Sequence, residues 1–464
     1  MVFSSLEFLF LFLPAILLAY FAVPVRLRNP VLLAGSLFFY AWGEPVYIVL
    51  MLVSITVNYG LALAIDRFRG TPRSRAALIG AVAISLGLLG YFKYAGFLMD
   101  TINGLLGTDF VSPDLPLPIG ISFYTFQIIS YTVDVYRRDV PAQRSWVTLA
   151  MYISLFPQLI AGPIVRYKTI AAELTHRTPT LERFAEGAGR FTIGLAKKVI
   201  IANNIGLIWK DTLLSSEPSV LLAWLGLTAF ALQIYFDFSG YSDMAIGLGR
   251  ILGFTFPENF DYPYVSQTVT EFWRRWHMSL GQWFRDYVYI PMGGNRVPYL
   301  AWVRNVLVVW FLTGLWHGAA WNFALWGVYF GVLMIVEKAF LHDLLYRLPR
   351  MARHAYLIFA VLISWTLFEL GNIAQIEQYL ATMFGLAGVP IVNDESVYVL
   401  RSNLVLFVVA IGASVPLLQA VQTRIPDRPF IRQAGVPAIQ AVLLVVSYAY
   451  LLDSTFNPFL YFRF

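Results

Sequence analysis

The chain has 464 residues, 58% of them hydrophobic and only 13% charged, and a mean hydropathy of +0.66. Soluble domains carry about 25% charged residues, so this composition excludes a cytosolic globular enzyme, a disordered chain and a secreted scaffold; lipid must solvate much of the surface. The absence of cysteine excludes disulfides, iron–sulfur clusters, thiolate zinc sites and an acyl-cysteine intermediate, and the excess of 33 Lys and Arg over 27 Asp and Glu speaks first to orientation in a membrane.

A hydrocarbon core of about 30 Å needs about 20 apolar residues per helix. Twelve stretches meet or approach that length: 6–24, 30–43, 46–66, 76–99, 117–136, 190–208, 220–237, 300–316, 320–337, 355–372, 402–421 and 435–452. The first is not read as a cleaved signal, because no Lys or Arg precedes Arg26. The apolar stretch 146–164 is interrupted by Pro157, Gly162 and Pro163 and is expected to be re-entrant or interfacial. No internal repeat or low-complexity tract is visible. The expected fold is all-α and polytopic, with 11–12 transmembrane helices plus re-entrant and interfacial helices, forming one membrane domain over 1–464. Placing the loops 26–28, 67–75, 137–144, 166–198, 250–304, 338–353 and 424–432 in the cytoplasm gathers 29 of the 33 basic residues there. The loops 100–116 and 373–400 contain none. Both termini then lie outside.

Three polar stretches interrupt this pattern, and polar groups at membrane depth usually line a cavity or a site. The first runs from Gln233 to Asp243. Its carboxylates, Asp237 and Asp243, fall on different helix faces and do not suit an acid/base pair; they fit either helix packing or the wall of a tunnel. The second begins at Thr268 and Glu271, whose spacing is that of a capping box. Phe272, Trp273, Trp276, Leu280, Trp283, Phe284 and Tyr287 then recur on one face of an amphipathic interfacial helix. Arg274 and Arg285 share a flank, Arg275 points away and His277 borders the apolar face. Membrane anchoring alone accounts for this helix; the functional alternative is an entrance for a phosphorylated donor, with the arginines on its phosphates. The third runs from Thr313 to Asn322 around His317, the deepest of five histidines by hydropathy. Gly314 and Gly318 let another backbone or a ligand come close, and Thr313, one turn earlier, could orient the ring. A neutral buried imidazole suits proton abstraction from an alcohol; the alternative is a histidine satisfied by a neighbouring helix. His176, His342 and His354 sit in basic loops. His277 and His317 have no close acidic partners in sequence, so no metal site is expected. The basic patches flank loops, so no nucleic-acid partner is expected. The final Asn457–Phe464 is aromatic, fitting either an interface anchor or a return of Tyr461 into an outward-facing cavity to handle an acyl group.

The chain resembles the membrane-bound O-acyltransferase superfamily, and within it the bacterial group that acetylates polysaccharides such as alginate. The matching strings are the Met1 start, Pro118–Tyr124, Leu159–Pro163, Tyr235–Gly249, Glu271–His277, Trp283–Tyr287, Gly314–Gly318 and the Phe-Leu-Tyr-Phe ending. Together they span essentially the whole chain. Two positions, Ala320 and Phe330, depart from the usual pattern. The resemblance implies that His317 is the histidine required for acyl transfer and His277 the second one, nearer the cytoplasm. It implies a funnel through a bacterial inner membrane, open to acetyl-CoA inside and an acceptor outside. Periplasmic or membrane-anchored partner proteins would pass the acetyl group to the polysaccharide.

The expected activity is thus acetyl transfer from cytoplasmic acetyl-CoA toward polysaccharide hydroxyls, with no permanently bound cofactor. Catalytic candidates are His317 and His277. Arg274, Arg275, Arg285, Trp316, Asn322 and Asp237 are candidate substrate-binding residues, and Tyr461 is a possible acyl acceptor. The alternative function is a transporter or flippase for a polysaccharide or lipid-linked sugar, acting without acyl chemistry.

Overall fold

The computed structural model describes residues 1–113, 115–417, 434–453 and Leu460. The basic loop 424–432 and Tyr461 lie outside the described residues. Among these residues the fold is helical, without strands. Among the described residues, nine helices are long and apolar enough to cross a bilayer, and Phe8–Ala22 is a shorter apolar helix. With Arg28–Gly43 and Ile121–Arg137, they correspond to the twelve stretches expected from hydropathy. The chain forms two compact units, one of residues 1–191 and 241–257, the other of 192–240 and 258–464.

The first unit contains α1 (Leu13–Ala22), α2 (Arg28–Gly43), α3 (Tyr47–Arg67), α4 (Pro72–Leu89), α5 (Ala95–Leu106), α6 (Ile121–Arg137), α7 (Trp146–Ser154), α8 (Phe156–Leu159) and α9 (Tyr167–Thr175). The interrupted stretch 146–164 is a broken pair of short helices, α7 and α8, buried almost throughout. The break precedes Pro157, which has no N–H to offer a continuous helix. Ser36 of α2 accepts the Phe156 N–H at 3.1 Å. Phe3, Phe8, Phe39 and Phe156 pack as one aromatic cluster, with Tyr241 stacked on Phe3 at 4.4 Å. Helix α6 starts at Gly120, whose φ of +75° and approach to the Leu159 carbonyl leave no room for a side chain.

Two helices enter both units: α10 (Leu181–Ala196), continued as α11 (Asn203–Leu213), and α12 (Val220–Ile251). The second was expected to end at 237 but runs 32 residues. Its polar run reads as a helix end, yet the side chains are paired internally: in the first unit Asp243 meets Arg190 at 2.8 Å, and in the second Asp237 meets Lys198 at 2.6 Å. Within the second unit Gly240 lies against the Gly194 carbonyl, and within the first Gly247 lies against that of Gly187. Of the most apolar window of each of these two spans, 72% is buried, against 11% for Val436–Asp453, so the former are largely covered by other described residues and the latter is largely exposed.

The second unit adds α13 (Val269–Arg275), α14 (Met278–Phe284), α15 (Tyr299–His317), α16 (Trp321–Val336), α17 (His342–Arg347), α18 (Arg350–Glu369), α19 (Ile373–Met383), α20 (Asp394–Ala413) and α21 (Val436–Asp453). Its core is rich in aromatic rings, among them Phe272, Trp276, Trp326, Phe330 and Trp365.

Candidate active site

Helices α15 and α16 form a hairpin whose closest approach is set by glycine. A Cβ on Gly314 would collide with the Phe323 carbonyl, and one on Gly327 with that of Trp310. This crossing places His317 as the last residue of α15. The His317 side chain is enclosed, with its residue only 3% exposed. Trp316, Trp326 and Phe368 pack around its ring at centroid distances of 5.0, 5.1 and 5.5 Å. Thr313 does not orient the imidazole as expected; its hydroxyl donates to the Val309 carbonyl at 2.8 Å, within its own helix.

His277 is reached by a different route. Thr268 caps α13, accepting the Glu271 N–H at 3.1 Å, as the sequence spacing predicts. The single amphipathic helix expected beyond it is instead two short ones, broken at Trp276 and His277. His277 adopts φ 44°, ψ 53°, a left-handed conformation that costs a non-glycine residue about 1–2 kcal/mol. Residues Asn259–Asp261 offset that cost by supplying hydrogen bonds at the break. Asp261 N–H donates to the Arg275 carbonyl, and the Asn259 carbonyl accepts from Met278 N–H, at 3.0 and 2.9 Å. The helices do not lie on the lipid surface by their apolar face. Phe272, Trp276, Leu280, Trp283 and Phe284 are buried within the protein.

The break turns His277 inward, where it is 1% exposed. Its Nδ1 lies 3.0 Å from Asn259 Oδ1 and its ring packs against Phe238 at 4.7 Å. Trp316 stands 5.8 Å away, so one indole touches both histidines. Burial pushes the His277 imidazole well below the ordinary histidine range, and His317 nearby adds to the effect. A neutral ring at pH 7 can accept a proton. His277 also lines a cavity of about 1120 Å³, whose wall includes Arg274, Arg285, Thr313, Lys338 and Arg353. His317 lies one turn beyond Thr313, outside that lining.

The match to known proteins covers these same walls. The family model of the membrane-bound O-acyltransferase family matches residues 141–375. The probable alginate O-acetylase AlgI of Azotobacter vinelandii is 45% identical over 390 residues, 83% of this chain and 78% of its own. The chain belongs to the membrane-bound O-acyltransferase family. The peptidoglycan O-acetyltransferase of Helicobacter pylori is 34% identical over 425 residues, 84% of this chain and 81% of its own. A teichoic acid D-alanyltransferase of Bacillus subtilis is 31% identical over 235 residues, 48% of this chain and 59% of its own. The chain is therefore a multi-pass membrane enzyme, an O-acyltransferase.

In this acyltransferase the remaining candidates separate. Arg274 and Arg285 both line the cavity, although Arg285 also pairs with Asp286 at 2.8 Å. Arg275 is turned away, held by Asp261 at 3.0 Å and Glu271 at 3.2 Å. Asn322 donates to the carbonyls of Leu367 and Phe368, tying α16 to the end of α18. Asp237 is committed to Lys198, and its other oxygen accepts the Leu460 N–H at 2.9 Å. The geometry thus assigns Arg275, Asn322 and Asp237 internal partners where the sequence suggested contact with substrate. Sequence reasoning passed over Asn259, Lys198 and Glu337. Glu337 accepts from the backbone N–H groups of Val269 and Thr270 at 2.6 and 3.1 Å, clamping the start of α13 to the end of α16. Its signal was an acidic residue closing an apolar run; that of Asn259 was a polar loop just before the histidine helix.

Proposed function

We propose that this acyltransferase moves an acetyl group from cytoplasmic acetyl-CoA across a bacterial inner membrane toward hydroxyls of an extracytoplasmic polysaccharide such as alginate, through a partner protein that completes the transfer. The observation that carries the reading is the packing of His277 and His317 against one indole, Trp316, with His277 on the wall of a large cavity that also bears Arg274 and Arg285. The names of two relatives support it, since both describe O-acetylation of a bacterial polymer.

In this reading the arginines hold the donor's phosphates and the thioester reaches inward past His277. His317 takes the proton of the acceptor hydroxyl. The oxygen bonds to the acetyl carbonyl carbon, the carbon–sulfur bond breaks, and the imidazolium proton passes to the departing CoA thiolate. A positioned base of this kind contributes about 10²–10⁴-fold. A transient acetyl ester on the Tyr461 oxygen belongs to the same proposal. Tyr461 then serves as the first acceptor, and attack by a second hydroxyl on the ester releases it.

The test is purified protein with radiolabelled acetyl-CoA. His317→Ala is expected to abolish label transfer while leaving the protein folded; full activity in that variant overturns the assigned base. Mass spectrometry of the C-terminal peptide during turnover should find an acetyl group on Tyr461. An unmodified peptide under turnover removes that residue from the scheme.

A further inference from the structure

Asn259 is fully buried, and its side-chain oxygen is shared by three groups. Oδ1 lies 3.2 Å from Ser279 N, 2.8 Å from Ser279 Oγ and 3.0 Å from His277 Nδ1. A backbone N–H can only donate, so the atom facing it is the amide oxygen and not the amide nitrogen. This fixes the orientation of the Asn259 amide independently of the histidine. The oxygen in turn can only accept. For the Asn259–His277 contact to be a hydrogen bond, the proton must sit on His277 Nδ1, leaving the lone pair on Nε2.

We infer that Asn259 is a positioning residue for acyl transfer, holding His277 as the Nδ1–H tautomer so that the ring's lone pair lies on Nε2. The inference deepens the reading above and rests on His277 serving the reaction. The geometry leaves the asparagine little freedom to adapt. Its own carbonyl accepts the Met278 N–H, and Phe238 and Phe260 pack against the imidazole. One residue therefore caps α14, stabilises the left-handed turn at His277 and selects the tautomer. The selected form is the opposite of the one a neutral histidine side chain favours in water, so its detection reports the protein's influence directly.

The experiment is nitrogen-15 NMR of the reconstituted full chain labelled at its five histidines, with the His277 signal assigned by its loss in His277→Gln. The expected wild-type spectrum shows a protonated Nδ1 and an unprotonated Nε2 at His277. Asn259→Ala should shift the ring toward Nε2–H and lower kcat by about tenfold or more, with donor KM changed by less than about twofold. Asn259→Asp preserves an acceptor for all three groups and should keep the Nδ1–H form; this variant decides the matter if the alanine variant fails to fold. An Nε2–H signal in the wild type or in Asn259→Asp overturns the tautomer assignment. Full kcat in Asn259→Ala, with His277→Ala inactive, overturns the positioning role alone. Full activity in His277→Ala removes the positioning role along with the catalytic reading of His277.

Discussion

Lys198 and Asp237 are each almost fully buried and lie 2.6 Å apart, with Asn203 accepting from the ammonium at 2.9 Å. Truncating one partner of such a pair strands a charge and costs about 3–5 kcal/mol, whereas replacing both by apolar residues is often neutral. Lys198→Met and Asp237→Leu should therefore each lower the thermal unfolding temperature in detergent sharply, and the double variant should recover most of the loss. A double variant no better than the worse single one contradicts a structural role for the pair. His277 supplies a second test at this scale. Its folded-state pKa lies below that of the unfolded chain, so on acidification the unfolded state takes up the proton first. Stability is thus complete above about pH 6.5 and falls as pH drops below it, by about 1.4 kcal/mol per pH unit until the folded ring itself protonates. Tryptophan-detected melting between pH 7.5 and 5 should show that slope in the wild type and a shallower one in His277→Gln. Parallel profiles would mean that His277 is not held neutral.

The α15–α16 hairpin depends on two backbones meeting at Gly314 and Gly327, where no Cβ fits. Gly314→Val should push the helices apart, displace His317 and abolish both activity and the native melting transition, while Gly80→Ala on α4, where a Cβ meets open space, should leave both unchanged. A native-like Gly314→Val would show that the crossing tolerates separation. Of the two glycines at the crossing, only Gly314 was legible in the sequence as a site of close approach, together with the apolar spans, the Thr268 cap and the shared flank of Arg274 and Arg285. Two features were not. The aromatic residues from Phe272 to Phe284 keep helical spacing through His277, so periodicity carries no sign of the break; the hydrogen bonds that stabilise it come from Asn259 and Asp261, up to 20 residues earlier. Likewise the polar run of α12 reads as a helix end because Lys198 and Arg190, which pair with its carboxylates, are distant in sequence. Local pattern identifies faces, whereas breaks and overruns depend on partners brought in by folding.

Across the whole molecule, basic residues are the strongest sign of orientation. Assigning alternate loops to the cytoplasm gathers 29 of 33 Lys and Arg on one side, and the loops 100–116 and 373–400 have none. Such a bias sets how a polytopic chain inserts, because Lys and Arg flanking a span are retained on the cytoplasmic side. Orientation matters to mechanism here, since it decides which compartment supplies the acyl donor. The natural absence of cysteine makes the test clean: any thiol label reports the introduced site alone. Thr71 and Asp343 lie exposed near the basic loops, and Asp109 and Ala387 lie exposed in the loops without basic residues. Single cysteines at these four positions, treated in intact cells with a membrane-impermeant maleimide, should label at 109 and 387 and remain unlabelled at 71 and 343 until the membrane is permeabilised. The reverse pattern would invert the orientation and move the proposed donor side to the opposite face. Labelling at 109 but not at 387 would mean that an odd number of crossings separates those loops, against the even number that the charge pattern requires.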